Sequence, residues 1–239
     1  QEQHRKLQAL RARLDAMDDS SWPITERVDY MIVLAEMRGM DFNHRVLKPW
    51  ERDPAFYSTT DLGFGPKLHG AISVPKLPLK KEDVAPLAAK LRAVPVILDQ
   101  ARRNLTDARG DLARLAIVQK RIERNVYDRL SQDAAKHHPS LVKPAREARD
   151  AADRFIAWLE ETESRLPPHG GIGKQEYDWY LRNVLLFPYT WDEMRIVSER
   201  EYQRTITFHK LEEHQNRGIT MPEPVTTRAE FDSARTEAD

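Results

Sequence analysis

The sequence contains no cysteine, which excludes disulfide bonds, thiolate metal sites and cysteine nucleophiles. It also lacks an excess of charge, because 38 basic and 38 acidic side chains give a formal net charge of zero. A nucleic-acid or anionic-membrane partner therefore has no global electrostatic support. No apolar run reaches the roughly 18–20 residues that a membrane-spanning helix needs. We expect no nucleic-acid partner and no membrane span.

The pattern of apolar residues is that of helices. The 239 residues are 40% apolar, which is enough for a hydrophobic core and too much for a disordered chain. Apolar residues recur three or four positions apart along most of the chain, and no alternating run is long enough for a sheet. Residues 110–138 and 144–166 form two long helical segments with a short link, which favours an antiparallel pair. The sequence predicts an all-α fold, a multi-helix bundle of long antiparallel helices.

Prolines, glycines and capping residues indicate the boundaries of these helices. Pro95 is expected to divide the helix over residues 81–106 into two collinear or kinked pieces. Thr190 and Glu193 form a capping box that predicts the start of a final long helix, which ends near Gly218. We expect residues 1–221 to form a single helical domain and residues 222–239 to form a weakly ordered tail.

Residues 50–79 interrupt the helical pattern. Glycines and prolines are concentrated there, and no helical periodicity is sustained. Long loops inside compact domains are usually either functional or disordered. The aromatic residues Trp50, Phe56, Tyr57 and Phe64 favour order. We therefore expect one long ordered loop that packs over a surface or a cleft.

The sequence carries no complete metal motif. Helical zinc enzymes place two histidines one turn apart in the pattern H-E-x-x-H, which is absent here. His209 and His214 are five residues apart, roughly 140° around a helix, so they cannot chelate one ion together. His209 and Glu213 are one turn apart, but two ligands are too few for zinc. We interpret this second pair as a surface contact.

Two other local patterns are better explained by a structural role than by a catalytic or ligand-binding role. Asp41 and His44 are one turn apart, as a base and its orienting carboxylate would be, but no nucleophile accompanies them. Gly170, Gly171 and Gly173 lack the spacing of a phosphate-binding loop and follow two prolines rather than a strand. We interpret the first pattern as a helical polar pair and the second as a turn between helices.

Three segments of the sequence read WERDPAFYSTT, VPKLPL…AAKLRAVPVILDQARRNL and GIGKQEYDWYLRNVLLFPYTWDEM. They resemble the large bacterial family DUF885, and the similarity runs in order over nearly the whole chain. The matching residues of the first and second motifs are Trp50, Asp53, Pro54, Tyr57, Arg92, Pro95, Leu98, Ala101, Asn104 and Leu105, with Arg92 at a shortened spacing. Those of the third are Gly173, Tyr177, Leu181, Arg182 and Thr190.

Members of DUF885 resemble helical zinc metallopeptidases of the gluzincin type, and they are far longer than this chain. The resemblance implies that the chain, which begins at Gln1 rather than Met, is an N-terminal region with no catalytic residue and no cofactor of its own. Zinc would be held by the C-terminal half, where it would polarise a carbonyl and activate water. The implied partners are that catalytic half and a peptide or small-molecule substrate. This region would supply helical walls and a lid.

For contact with the substrate we predict Tyr57, His69, Tyr177 and Tyr180. We also expect an extracytoplasmic location, as a secreted or lipoprotein-like bacterial protein. The alternative to a peptidase region is a non-catalytic helical module that binds or scaffolds a protein partner. The two hypotheses differ in one property, because only the first predicts a large exposed apolar face where the rest of the protein would dock.

Overall fold

The computed structural model describes residues 2–63, 68, 70–73, 75–220 and 224–238. The architecture is all-α, as predicted. The helices are α1 (Glu2–Asp15), α2 (Ile24–Phe42), α3 (Pro49–Arg52), α4 (Lys81–Asn104), α5 (Gly110–His137), α6 (Val142–Thr162), α7 (Lys174–Asn183), α8 (Trp191–Gln215) and α9 (Arg228–Ala238). A π-helical turn, Asn43–Leu47, continues α2, and two short strands, β1 (Thr60–Asp61) and β2 (Ile72–Ser73), pair in parallel.

The hydrophobic core lies between α4, α5 and α6. Each helix buries side chains at the three- and four-residue spacing of one helix face. On α4 these residues are Leu87, Leu91, Val94 and Leu98, and on α6 they are Ala148, Ala151, Phe155 and Leu159. Burial of this continuous face, rather than intrinsic helix propensity, is the main source of helix stability in such a bundle.

Helices α5 and α6 form the predicted antiparallel pair. Their ion pairs run in opposite order along the two helices: Arg121–Glu160 at 2.6 Å, Arg124–Asp153 at 3.2 Å and Arg149–Asp128 at 3.1 Å. The short segment Pro139–Leu141 connects the two helices. Fully buried alanines, which allow close approach of the two backbones, line both helices: Ala113, Ala116, Ala134, Ala145, Ala148 and Ala152.

Helix α4 continues through both Pro86 and Pro95 as a single helix. The predicted division at Pro95 is therefore wrong. A proline inside a helix removes one backbone hydrogen bond and crowds the preceding turn. Here the neighbours Val94 and Leu98 are almost completely buried. Packing on both sides of the proline holds α4 together despite that penalty.

The described parts of the long loop pack against the bundle, as predicted. Ala55, Tyr57 and Ile72 belong to the same buried cluster as the helices. In the parallel strand pair, Thr60 lies opposite Ile72. Residues 64–67, 69 and 74 of this loop lie outside the described residues. The loop thus contributes to the core instead of merely connecting α3 to α4.

The chain divides into two compact units, residues 1–188 and 189–239. The second unit begins at the predicted capping box, where the Thr190 side chain accepts from the Glu193 backbone and the Glu193 carboxylate accepts from the Thr190 backbone. Helix α9 occupies most of the segment that we expected to be a weakly ordered tail. The expectation of one domain over residues 1–221 stays a prediction.

The outer faces of the long helices carry charged side chains, as the mixed composition of the chain requires. Among the described residues, no helix is both long enough and apolar enough to cross a membrane.

Candidate functional site

A buried polar network fixes the long loop to α5. Lys120 and Glu123 lie three residues apart on α5, and neither side chain is exposed at all. The Lys120 ammonium lies 3.0 Å from both carboxylate oxygens of Glu123 and donates to the carbonyl oxygen of Tyr57 at 2.6 Å. A buried charge is tolerated only when it is paired and hydrogen-bonded, and both conditions hold here.

Hydroxyl groups of the loop complete this network. Ser58 Oγ donates to Glu123 Oε1 at 2.8 Å, and Thr59 Oγ1 donates to Glu123 Oε2 at 2.7 Å. Thr60 Oγ1 donates to the Tyr127 hydroxyl at 2.8 Å. Three consecutive loop residues are therefore tied to one face of α5. We call Ser58, Thr59, Thr60, Lys120, Glu123 and Tyr127 the loop anchor.

Burial shifts the pKa of two groups of the loop anchor, Lys120 and Tyr127. It lowers the pKa of Lys120, although the neighbouring Glu123 carboxylate opposes this effect. It raises the pKa of the Tyr127 phenol, and the negative charge of Glu123 adds to the increase. The anchor positions a loop rather than performing chemistry, because its polar atoms already bind one another and are closed to solvent.

Tyr57, the first predicted contact residue, lies beside the loop anchor and is 5% exposed. Its hydroxyl donates to the Trp50 carbonyl oxygen at 2.7 Å and accepts from Asn104 Nδ2 at 2.9 Å. Burial raises the pKa of this phenol. The structure thus brings together Trp50, Tyr57 and Asn104, which come from two separate motifs of the sequence. His69, the second predicted contact residue, lies outside the described residues.

Tyr177 and Tyr180 both lie on α7 and are half-buried. The Tyr180 ring packs against Phe42 of α2, with a distance of 5.1 Å between ring centroids. The neighbouring Trp179 stacks against the same Phe42 ring, with 5.5 Å between ring centroids and an interplanar angle of 5°. Aromatic packing thus joins α7 to the end of α2. The role of both tyrosines in substrate contact stays a prediction.

The π-helical turn at the end of α2 carries a cluster that the sequence did not reveal. A π turn inserted into a helix is frequently found at a functional site. The turn ends at Lys48, whose φ of 40° lies in the left-handed region that non-glycine residues rarely adopt. Pro49 follows and begins α3. The backbone here departs from regular helix where several polar side chains meet.

Asp41 is the centre of that cluster and is 7% exposed. Its carboxylate lies 3.0 Å from His4 Nε2 and accepts from Arg11 Nη1 at 3.1 Å. The His4 ring stacks on His44 at 4.4 Å, with an interplanar angle of 16°. The pKa of His44 is lowered by burial first and by the nearby His4 second. Asp41 thus pairs with α1 rather than serving as the orienting group of His44.

Arg45 connects this cluster to the aromatic side chains of α7. Its guanidinium carbon lies 5.1 Å from the centroid of Trp179, and Nη1 lies 3.5 Å from a carboxylate oxygen of Glu176. On the other side, the Trp50 ring lies 5.0 Å from His44. We call His4, Asp41, His44, Arg45, Trp50 and Trp179 the π-turn cluster. Its planar cationic and aromatic groups suit contacts with carboxylates and flat apolar groups.

The spacing of Asp41 and His44 indicated only a helical polar pair, whereas the Asp41 carboxylate contacts His4 and Arg11 of α1. These contacts could not be predicted, because His4 is 37 residues from Asp41 and no sequence pattern links them. Within the described part of the chain, no three His, Asp or Glu side chains come close enough to hold a metal ion. His209 and Glu213 do form the predicted surface pair, with 3.3 Å between Nε2 and Oε1.

A second feature is an apolar face of α2 that is only partly covered. Towards the C-terminal end of the helix this face is buried, with Ala35 5% and Phe42 1% exposed. Towards the N-terminal end the same face is exposed, from 46% to 79%, at Ile24, Val28, Met31 and Ile32. We call these four residues the α2 stripe. Helix α5 has a similar exposed row at Leu115, Val118 and Ile122.

Comparison with known proteins gives a family and a fold. A family model described as "Bacterial protein of unknown function (DUF885)" matches residues 1–207. No curated protein matches the sequence. Among solved structures, the chain is similar to one described as "a putative lipoprotein of unknown function from Shewanella oneidensis", with a TM-score of 0.63 and 18% identity. The match covers 94% of this chain and 42% of that chain, so this chain spans less than half the length of that protein.

Proposed function

The chain belongs to the DUF885 family, and from that premise we propose that it forms the helical wall of a larger zinc-dependent peptidase or related hydrolase. In this proposal it shapes one side of a substrate cleft, and loop 50–79 forms its lid. The main support for this proposal is the α2 stripe. It is the exposed N-terminal part of an apolar helix face whose C-terminal part is buried within this chain. A large exposed apolar patch is typical of a surface that packs against more protein.

The length of the similar structure supports one answer to the question of which polypeptide covers the α2 stripe. That chain contains the fold described here in 42% of its length, so more than half of it has no counterpart in these 239 residues. We propose that the remaining polypeptide of the same protein covers the stripe. A scaffold module would instead need a separate protein partner, and neither the structure nor the comparisons provide an observation that supports one.

The zinc ligands, in this proposal, belong to that remaining polypeptide. The described residues of this chain do not fit a zinc site, because no three potential ligands converge and structural or catalytic zinc needs three or four. When bound, zinc would activate a water molecule for attack on a carbonyl group. The residues of this chain would bind and orient the substrate and exclude solvent.

For substrate contact we propose Tyr177 and Tyr180 of α7, together with Tyr57 and His69 of the lid. The two tyrosines of α7 are half-buried, and Trp179 between them lies beneath Arg45. Aromatic rings next to a guanidinium offer a surface for the apolar and carboxylate groups of a peptide. Tyr57 would act chiefly by holding Trp50 in place, because its hydroxyl is already bonded to that backbone.

We also propose that the protein works outside the cytoplasm. The solved structure of similar fold is described as a putative lipoprotein, and this description supports the placement. Fusion of the full-length protein to a reporter enzyme that is active only after export would test it. An inactive reporter, with the fusion recovered from the cytoplasm, would contradict this part of the proposal.

Metal analysis and peptide hydrolysis test the main proposal. We expect this 239-residue chain to contain no bound zinc and to cleave no peptide. The full-length protein is expected to hold about one zinc ion per chain and to lose its hydrolysis when a chelator removes the metal. Stoichiometric zinc with turnover in the short chain would contradict the assignment of the ligands. A full-length protein with neither zinc nor hydrolysis would favour the scaffold module.

A further inference from the structure

A pocket of about 470 Å³ lies between the first turns of α4 and the end of α5. This volume is within the range of about 300–1,000 Å³ that small-molecule sites occupy. Part of its lining is apolar and comes from Leu79, Val84 and Ala88. The pocket is separate from the loop anchor, the π-turn cluster and the α2 stripe, since it shares no residue with them.

The charged side chains that line this pocket are all basic. Lys81 and Arg92 come from α4, and His138 and Ser140 come from the link after α5. Glu82 and Asp83 follow Lys81 along the chain, but they do not line the pocket. Within the described ranges, neither Lys81 nor Arg92 forms an ion pair. Two solvent-exposed cations, Lys81 and Arg92, therefore line a partly apolar pocket without a countercharge.

His138 adds a donor of defined tautomer. Its Nε2 accepts the backbone N–H of Leu79 at 2.8 Å. In the neutral ring, a nitrogen that accepts leaves the proton on the other one, so Nδ1 carries the hydrogen. Nδ1 makes no hydrogen bond to any residue that the structure describes. The side chains that line the pocket therefore carry an ammonium, a guanidinium and an imidazole N–H, together with the hydroxyl of Ser140.

A second groove, beside residues 75–77, is lined by charged side chains of both signs. It is larger, about 660 Å³, and Lys76, Arg129 and Lys136 line it, but so does Asp133. A carboxylate among the cations offers an internal partner for them and repels an anionic ligand. The pocket that Lys81 and Arg92 line is therefore the better site for an anion, because no carboxylate of the described residues lines it.

We propose that this pocket binds an aliphatic carboxylate. Arg92 and Lys81 would pair with the carboxylate, and the Nδ1–H of His138 would donate to one of its oxygens. The hydrocarbon part would lie against Leu79, Val84 and Ala88. A guanidinium matches the two oxygens of a carboxylate in geometry, and burial of the hydrocarbon part accounts for the apolar lining. The proposal does not rest on peptidase activity.

Titration of the 239-residue chain with three small probes tests the proposal. Hexanoate has both the charge and the hydrocarbon part, hexanol lacks the charge, and inorganic phosphate lacks the hydrocarbon. We expect hexanoate to bind saturably with a Kd of about 1 mM, which is reasonable for so small a ligand. We expect hexanol and phosphate to bind at least about fivefold more weakly than hexanoate. Backbone amide shifts of residues 79–92 and 138–140 in nuclear magnetic resonance spectra report the location.

Charge variants link the binding to the pocket. We expect Arg92→Gln and Lys81→Gln each to weaken hexanoate binding about fivefold, because each removes one of the two unpaired cations. Lys90→Gln is the matched control, since Lys90 is exposed on the same helix and does not line the pocket. Hexanol or phosphate binding as tight as hexanoate binding would overturn the proposal. So would equal hexanoate affinities of the Arg92→Gln and Lys90→Gln variants, or the absence of saturable hexanoate binding up to about 50 mM.

Discussion

Lys120 and Glu123 are a charged pair inside the core, and ion pairs such as Arg121–Glu160 lie nearer the surface. Both side chains are completely buried. By contrast, the side chains of Arg121 on α5 and Glu160 on α6, which also form an ion pair, are 62% and 45% exposed. A buried pair contributes little net stability when intact, but removal of one partner leaves an uncompensated charge. The Tyr57 carbonyl and the hydroxyls of Ser58 and Thr59 depend on the same two groups. The pair therefore controls the attachment of the loop.

Replacement of Glu123 by Gln tests the role of this pair. We expect the free energy of unfolding to fall by about 3–5 kcal/mol, because Lys120 would remain buried without its countercharge. Equilibrium denaturation by urea, followed by circular dichroism, measures the change. Glu160→Gln is the control, with an expected loss below about 1 kcal/mol for an exposed pair. Equal losses in the two variants would show that burial of the Lys120–Glu123 pair has no special importance.

Among the elements, α1 is held to the rest of the chain in an unusual way. None of its residues is buried, so it lacks the apolar anchoring of α4, α5 and α6. Its contacts with α2 include the bonds from His4 and Arg11 to Asp41, and the hydroxyl of Tyr30 donates to the Leu14 carbonyl oxygen at 3.4 Å. An element with few buried apolar contacts opens more readily than the core.

Replacement of Asp41 by Asn is expected to loosen α1 selectively. The amide lacks the charge that strengthens the bonds from His4 and Arg11. Hydrogen exchange of the backbone amides of α1 should become roughly tenfold faster, while exchange in α5 and α6 stays unchanged. Asp29→Asn is the matched control, because Asp29 is exposed on the same helix. Unchanged exchange in α1 would show that Asp41 does not hold this helix.

The elements also show how much of the structure the sequence predicts. The periodicity of apolar residues identified the antiparallel α5–α6 pair, and Thr190 with Glu193 marked the start of α8, because both signals are local. Pro95 misled the interpretation of α4, since tertiary burial outweighed a local penalty. The contact of Glu123 with Thr59 and that of His4 with Asp41 carry no local signal. These partners are 64 and 37 residues apart in sequence, so only the fold brings them together.

At the scale of the whole molecule, two helices expose rows of neighbouring apolar side chains. The α2 stripe continues a face that Ala35 and Phe42 bury within the chain, and α5 has the row Leu115, Val118 and Ile122 on its outer side. Single exposed apolar residues are ordinary, but contiguous rows mark surfaces of interaction. More than half of the longer similar chain lies outside the matched fold, and the proposed function assigns the cover of such rows to the corresponding polypeptide of this protein.

Replacement of Val28 and Ile32 by Ser tests what the α2 stripe does. Both side chains are about half exposed, at 48% and 51%, so the free energy of unfolding of this chain should change by less than about 1 kcal/mol. Leu34→Ala, at a 7% exposed position of the same helix, should lower it by about 2–5 kcal/mol. We expect the double variant to lose association with the remaining polypeptide in co-purification, because the contact surface is no longer apolar. If the double variant lost as much stability as Leu34→Ala, the stripe would be packed within this chain. If its association with the remaining polypeptide were unchanged, the docking surface would lie elsewhere.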